Sequence, residues 1–376
     1  MSNIDLKRFV NIDITSHVTP SVQSSRDTVV LFTADTTETH NIVDITLNNN
    51  NYHANLVDIT NYKNIYTSTS QPNTLAYLNV YFNNGGIKAL VIEGMPIATL
   101  SAAEIADLDN KYILVGYAAA SADIETVYAK LKLIAQTRKS SSTIYGINEK
   151  IIFAGTKVET DTDKVKNFVV KYTTTQGGEM TIPAYLCKIN VRGNNTVHDY
   201  AFTTENIAEQ NITDSLFETL MNNNYNVDID LANAVRNAGG NCKDGSDLTN
   251  SYVKIILHQT LTDTLINLLT EKLKNSTGLA KIYSAISEEL EKYLNCGYLT
   301  TDKVWTDDDY KITTKNNIEY TIIEKGTPLL KGYSITILPM SSLTSEEKAA
   351  HSTPSIYVII ADQYGIRKIT INGEVI

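Results

Sequence analysis

Four short apolar runs, set apart by segments of helical length, most constrain what this chain can fold into. They are Thr28 to Ala34, Ile87 to Glu93, Tyr112 to Tyr117 and Lys150 to Gly155. Each is continuous where a half-exposed strand would alternate, which predicts strands buried on both faces. The segments between them carry helix signals. Pro72 stands near a helix start. Leu75, Leu78, Val80, Tyr81 and Phe82 follow, and Gly85-Gly86 stops the helix. Ser101-Ala-Ala-Glu104 resembles a capping box, with the Ser101 hydroxyl accepting from the amide three residues on. Ser121-Ala-Asp-Ile leads a helix to about Lys139, with Ile124, Val127, Leu131 and Ile134 on one face. Apolar strands alternating with helices predict a largely parallel sheet covered on both faces. The polar, Asn-rich stretch from Asp35 to Thr69 reads as strands joined by exposed loops, and Thr181 to Val191 fits a short helix or a strand equally well.

From Ala201 the character changes. Ile212 to Asn222 reads as a helix and Tyr225 to Ile229 as a strand, followed by a Gly-rich loop from Arg236 to Asp247. Two amphipathic helices come next. Val253, Ile256, Leu257, Leu261, Leu265, Leu268 and Leu269 line the first; Leu279, Ile282, Tyr283, Ile286, Leu290 and Leu294 line the second. Asn275 to Gly278 is expected to join them tightly as antiparallel neighbours, and Gly297 to cap the second. Tyr310 to Ile323 and Gly332 to Leu338 return to strand patterns. The organisation expected is an N-terminal arm over 1–26, an α/β domain over 27–200, an α+β core domain over 201–353, and a hairpin and arm over 354–376.

Both ends of the sequence carry strand patterns. Ile356 to Ala361 is an apolar run suited to a fully buried strand, and Asp362 to Gly365 form a turn with Gly365 free to take positive φ. Ile369, Ile371, Gly373 and Val375 then alternate with polar residues. Near the start, Val10, Ile12 and Ile14 alternate in the same way, and Pro20 with a polar run separates them from the body. Each end reads as a strand on a tether, with Pro20 and Gly365 as hinges. The two could pair inside one subunit, or they could add to sheets of neighbouring copies.

Composition excludes several classes. A 42% apolar fraction supports a real core. A net charge of −10 argues against nucleic-acid or anionic-membrane binding through the overall field. No stretch approaches the roughly 20 apolar residues of a membrane span. The first residues lack the apolar centre of a signal peptide, so a cytoplasmic site of synthesis is expected. Three widely spaced cysteines imply neither a disulfide framework nor a zinc site.

Catalytic signals are weak. None of the six histidines has a second histidine or a cysteine at ligand spacing; His258 reads as structural. There is no Gly-X-Ser-X-Gly elbow. Gly240 to Gly245 is followed by Ser246 where a phosphate loop needs lysine, so the Gly-rich segment reads as a surface loop. Asp307-Asp308-Asp309 reads as a solvated face. No catalytic residue, metal site or cofactor is expected, and the chain is not expected to be an enzyme. Tyrosine, at 22 residues against 7 phenylalanines, suits either subunit interfaces or the rim of an ordinary core.

The order of these features resembles the contractile tail sheath proteins of tailed bacteriophages, in the short-chain version of that family. Thr74 to Glu93 looks like its helix, then Tyr-Phe, then Gly-Gly, then strand. The paired helices from Tyr252 to Leu294, followed by Asn295-Cys-Gly-Tyr, look like its late helical segment. Pro354-Ser-Ile-Tyr-Val and Ile369-Thr-Ile-Asn-Gly-Glu-Val fit its closing passage, whereas Asp362-Gln-Tyr-Gly departs from the small residues usual there. The resemblance implies a mixed α/β and α+β fold whose terminal β-strand arms augment the sheets of neighbouring subunits. It implies a virion component, assembled in the host cytoplasm, that forms stacked hexameric rings around a tail tube and contracts to drive that tube through the host envelope. Its implied partners are further copies of itself, the tail tube protein, and baseplate and tail terminator proteins, with neither nucleic acid nor direct membrane contact. The inter-subunit strands would be Val10, Ile12 and Ile14 at one end and Ile369, Ile371 and Val375 at the other. The competing expectations are another virion structural protein, such as a baseplate or adhesin component, and an α/β enzyme.

Overall fold

The computed structural model describes residues 26–37, 42–108, 112–140, 152–157, 161–269 and 275–363. The chain opens with β1 (Thr28–Thr33), then β2 (Ile42–Leu47) and β3 (Asn50–Asp58). Helices α1 (Tyr62–Ile65) and α2 (Pro72–Asn83) lead to β4 (Lys88–Ile92). Next come α3 (Ala102–Ala106), β5 (Leu114–Ala118), α4 (Ile124–Ser140), β6 (Ile152–Lys157), β7 (Phe168–Tyr172) and α5 (Thr181–Leu186). Then follow α6 (Asp214–Asn222), β8 (Asn226–Asp230), β9 (Val235–Ala238), α7 (Leu248–Leu269) and α8 (Asn275–Asn295). The last elements are β10 (Tyr310–Thr313), β11 (Glu319–Ile323), β12 (Tyr333–Ile337), α9 (Ser345–Ala349) and β13 (Ile356–Ile360).

Nine strands form one sheet in the order β2-β3-β4-β1-β5-β6-β7-β8-β9. The run from β4 to β8 is parallel, and the flanking β2, β3 and β9 join antiparallel. The continuous apolar runs are the buried centre of this sheet. Alternate residues sort to two cores: Val29, Leu31 and Val91 face α2, α5, α7 and α8. Val30, Phe32 and Ile92 face α3, α4 and α6. Two faces each covered by helices explain why these strands do not alternate in polarity. The sheet takes strands from both sides of residue 200.

Local chemistry explains the element ends. Pro72 occupies the first helical turn of α2. Past its end, Gly85 has φ +86°, and a Cβ at Gly86 would stand 2.4 Å from the Tyr81 ring. Only glycine leaves room for that ring, whose hydroxyl donates to the Lys88 carbonyl at 2.9 Å. The Ser101 hydroxyl caps α3 by accepting from Ala103, one residue earlier than a capping box requires, and it donates to the Glu104 carboxylate. The segment that reads as helix or strand, 181–191, begins as helix α5. Gly297 closes α8 with φ +86°.

Three further expectations need correction. The Gly-rich segment is not a surface loop: its first residues, Arg236 to Ala238, belong to β9, and Cys242 and Lys243 are buried. The Lys243 ammonium donates to the carbonyls of Asp161 and Asn223, each at 2.6 Å, and lies 4.2 Å from the centre of the Tyr225 ring. The loop therefore ties the segment before β7 to the end of α6 before β8. Asn275 to Gly278 is not the connection between the paired helices; it is the first turn of α8. Strand β13 is half-buried along its whole length instead of fully buried.

Candidate functional site

The residues expected to carry assembly, Val10, Ile12, Ile14, Pro20, Gly365, Ile369, Ile371 and Val375, lie outside the described residues. What the structure places is the two points where the body meets those segments. Arg26 donates to Thr260 Oγ1 of α7 at 2.7 Å, and its carbonyl accepts from the Tyr252 hydroxyl at 3.1 Å. At the other end, the Gln363 carbonyl accepts from Asn250 of α7 at 2.9 Å, and its amide donates to the Tyr298 carbonyl at 2.8 Å. Both ends of the body are thus held on one helix.

Beside that helix pair lies a second, smaller sheet. Strands β12 and β13 form an antiparallel ribbon in which Tyr333, Ile335 and Ile337 stand opposite Ile360, Val358 and Ile356. These residues pack toward the core built on α7 and α8. The opposite face carries Tyr357, whose ring centre lies 6.0 Å from that of Tyr310, and Ile359, which packs with Trp305, Ile323 and Leu329. Both faces therefore carry packing partners, and every residue of β13 remains half-exposed. No third strand among the described residues pairs with either member.

The ladder shows which groups point outward. The Ala361 amide bonds the Gly332 carbonyl at 2.8 Å, and the Leu338 amide bonds the Ser355 carbonyl at 3.1 Å. Antiparallel pairing alternates, so the backbone groups of Ile356, Val358 and Ile360 on β13, and of Tyr333, Ile335 and Ile337 on β12, face away from the partner strand. An apolar ribbon with such edges is a template for a further strand. The half-buried β13 is the trace of this in the sequence, hidden because an apolar run reads as a core strand.

A second constellation lies at the far end of the large sheet. Lys171 on β7 is fully buried and pairs with Asp228 on β8 at 2.8 Å and with the Glu205 carboxylate. It also donates to Thr181 Oγ1 at 2.6 Å, and the Tyr200 hydroxyl donates to Glu205 at 2.5 Å. Burial works against the Lys171 charge, but the two carboxylates outweigh it and raise its pKa. Burial pushes Asp228 up to about 8, with the Glu205 charge adding to the rise against the pull of Lys171. Glu205 goes the other way: burial is outweighed by Lys171 and by hydrogen bonds from Asp228, Lys171 and Tyr200. Glu179, which accepts from the Thr156 hydroxyl, is raised by burial to about 7. No local pattern marks this cluster, because residues 168–172 show only Phe-Val-Val before the lysine. An adjoining cleft of about 360 Å³ is lined by Asn84, Lys188, His198, Thr203, Thr204 and Glu205 among others.

In an open parallel sheet, ligands sit beyond the carboxyl ends of the strands where connections diverge. Here that point lies between β1, whose chain continues toward β4, and β5, whose chain continues toward β6. The chain's own residues fill it. The Gln176 amide donates to Asn73 at 2.8 Å and to the Ala119 carbonyl at 2.6 Å. Glu179 and Met180 are buried beneath. The tyrosines are also accounted for largely inside the body: Tyr62, Tyr66, Tyr77, Tyr81, Tyr200 and Tyr252 are among its largest fully buried side chains.

The fold is thus a mixed α/β architecture with a large, mostly parallel sheet and antiparallel hairpins. No protein-family model matches the chain, and no curated protein matches it by sequence. Among solved structures, the fold is shared by a chain of the structure described as "Cryo-EM structure of the anti-feeding prophage (AFP) baseplate, 6-fold symmetrised". The two superpose with a TM-score of 0.64 over 97% of this chain and 98% of that one, at 14% sequence identity.

Proposed function

We propose that this protein is a structural subunit of a contractile, phage-like injection system, and that within it the chain serves as a sheath subunit. Copies stack as hexameric rings around an inner tube, joined by terminal arm strands that add to the β12–β13 ribbons of neighbours. The observation that carries this reading is the end-to-end likeness of fold to a chain of a prophage baseplate assembly, found independently of the sequence pattern that resembles tail sheaths. The open ribbon beside the two attachment points supports it, because it supplies what the arms would need.

The energetics are reasonable. An arm strand of Ile369 to Val375 would make about four ladder bonds worth ~1 kcal/mol each, and its branched side chains would add roughly 1.5–3 kcal/mol apiece. Ordering the tether offsets much of this. One arm binds weakly; two arms per subunit in a lattice act together through effective concentration. Contacts of this head-to-tail kind propagate where a two-fold contact would close.

A baseplate role is the second reading, favoured by the neighbour's description as a baseplate. A non-enzymatic role is part of the proposal, supported by the filled crevice at the divergence of β1 and β5. Negative-stain microscopy of the expressed protein tests both readings. Long tubes that disappear when residues 369–376 are deleted, with the subunit still folded, support the sheath reading. Closed rings of fixed height support the baseplate reading, and tubes that survive the deletion remove the arm model.

A further inference from the structure

We propose that residues 200–210 form a strap latched to the large sheet by one proton shared between Asp228 and Glu205 over the Lys171 ammonium, and that the strap loosens when that proton leaves. The strap runs along the outer side of β9 and ends on β8. The Phe202 amide bonds the Asn237 carbonyl at 2.7 Å, the Glu205 amide the Val235 carbonyl at 3.0 Å, and the Gln210 amide the Asp228 carbonyl at 2.8 Å. Glu205 is the one strap side chain that reaches the buried ion cluster as a charge.

Charge counting carries the argument. Lys171 and Asp228 are 0% exposed and Glu205 is 8% exposed. Two ionised carboxylates against one ammonium would leave a net negative charge with almost no water to solvate it. Like-charged carboxylates sharing a site hold one proton between them. Among the described residues, the surroundings supply no other neutralising group. From β7 comes Lys171, from β8 Asp228, and from the strap Glu205 and Tyr200. From α5 comes Thr181, and from the turn before it Glu179, itself an acid. From β9 comes the neutral Asn237, in register with Asp228. Arg236 on β9 is turned to the carbonyls of Leu231 and Phe202. Among the described residues, Lys171 is the single cation paired with either carboxylate.

The latch bears on the surface because of what the strap carries. Phe202 is held at φ +62°, unusual for a bulky residue, and remains 38% exposed. Thr203, Thr204 and Glu205 form one wall of the adjoining cleft. Losing the shared proton would loosen an exposed aromatic and a cleft wall together. The closed strap keeps the proton up to about pH 8, so the loosening builds up as pH rises toward that value and is complete above it.

Hydrogen exchange of the full chain between pH 6 and 9.5, corrected for intrinsic amide rates, tests this. Opening linked to one proton predicts that protection of amides 202, 205 and 210 falls about tenfold per pH unit from pH 6 up to the midpoint and levels off above it. The amides of Val29 to Phe32 in the sheet centre serve as the unchanged internal reference. In Asp228→Asn, which keeps a donor toward Glu205, and in Glu205→Gln, which leaves one carboxylate with the lysine, the strap profile should be flat. A flat wild-type profile overturns the proposal, as does a fall that persists in either variant that folds. If neither variant folds, the wild-type profile decides.

Discussion

Arg26 and Thr260 are 234 residues apart in sequence, and the guanidinium of one donates a 2.7 Å hydrogen bond to the hydroxyl of the other. The same hydroxyl lies 3.1 Å from the Tyr293 hydroxyl of α8. Thr260 thus joins the N-terminal entry of the body to both long helices. Thr260→Val keeps the shape and removes the shared oxygen. The expected loss is about 1.5–3 kcal/mol, the range for hydrogen bonds to a charged group, read from the urea midpoint. Trypsin should also cut after Arg26 several times faster in the variant, because the residue is freed from α7.

The outward-facing positions of the ribbon make a sharper test of assembly. Val358 on β13 and Ile335 on β12 each direct their amide away from the partner strand, so proline there removes an edge donor without breaking the internal ladder. Ile359→Pro is the control: its amide lies inside the ladder, and its loss should lower stability by about 1 kcal/mol or more. Val358→Pro and Ile335→Pro should fold with the ladder intact, their midpoints lowered only by the side-chain packing they lose, and at least one should abolish polymerisation in light scattering. Normal tubes from both would take the ribbon out of the assembly account.

The buried acids set a pH dependence. Glu179 has a folded pKa of about 7 against an ordinary 4.5. The folded state therefore holds a proton that the unfolded state releases across that window, and stability falls as pH rises from about 4.5 to 7. Asp228 acts in the same sense from 3.8 to about 8. Glu205, with a lowered pKa, acts oppositely: its contribution is present above 4.5 and is lost as pH falls below that value. Maximum stability is expected where the opposing windows meet, near pH 4.5. The thermal midpoint should be higher at pH 5.5 than at pH 8.5. In Glu179→Gln the slope between pH 5 and 7 should flatten.

The large sheet was legible because its strands are covered on both faces, so hydrophobicity alone marks them; Thr28–Thr33 and Leu114–Ala118 are buried throughout. Strand β7 escaped because Lys171 interrupts its apolar run, and a buried lysine makes sense only beside Glu205 and Asp228, which lie far away in sequence. The ribbon strand β13 misled in the other direction. Ile-Tyr-Val-Ile-Ile carries the composition of a core strand, but it is half-buried in a ribbon that no third strand joins among the described residues, a distinction that composition does not encode. The Gly-rich segment was misread for a similar reason. Its glycines turn the backbone so that Lys243 can point inward, and nothing local in the sequence distinguishes that from an exposed loop.

Gly177 tests the filled crevice. It sits at φ +75°, and a Cβ there would lie 2.8 Å from the Tyr77 Cα, a backbone atom that cannot swing aside. Gly177 is followed by the short turn that buries Glu179 and Met180 and preceded by Gln176, whose amide closes the crevice against Ala119. Gly177→Ala adds left-handed strain of about 1–2 kcal/mol to an overpacking penalty of about 1–3 kcal/mol. The expected loss is therefore about 2–5 kcal/mol by urea unfolding. Ala substitution at Gly326, with φ +87° and open space around it, carries the strain alone and should lose about 1–2 kcal/mol. The difference between the two measures how tightly residues 176–180 are seated. Equal losses would mean that the crevice yields readily, and would reopen the case for a ligand at the divergence of β1 and β5.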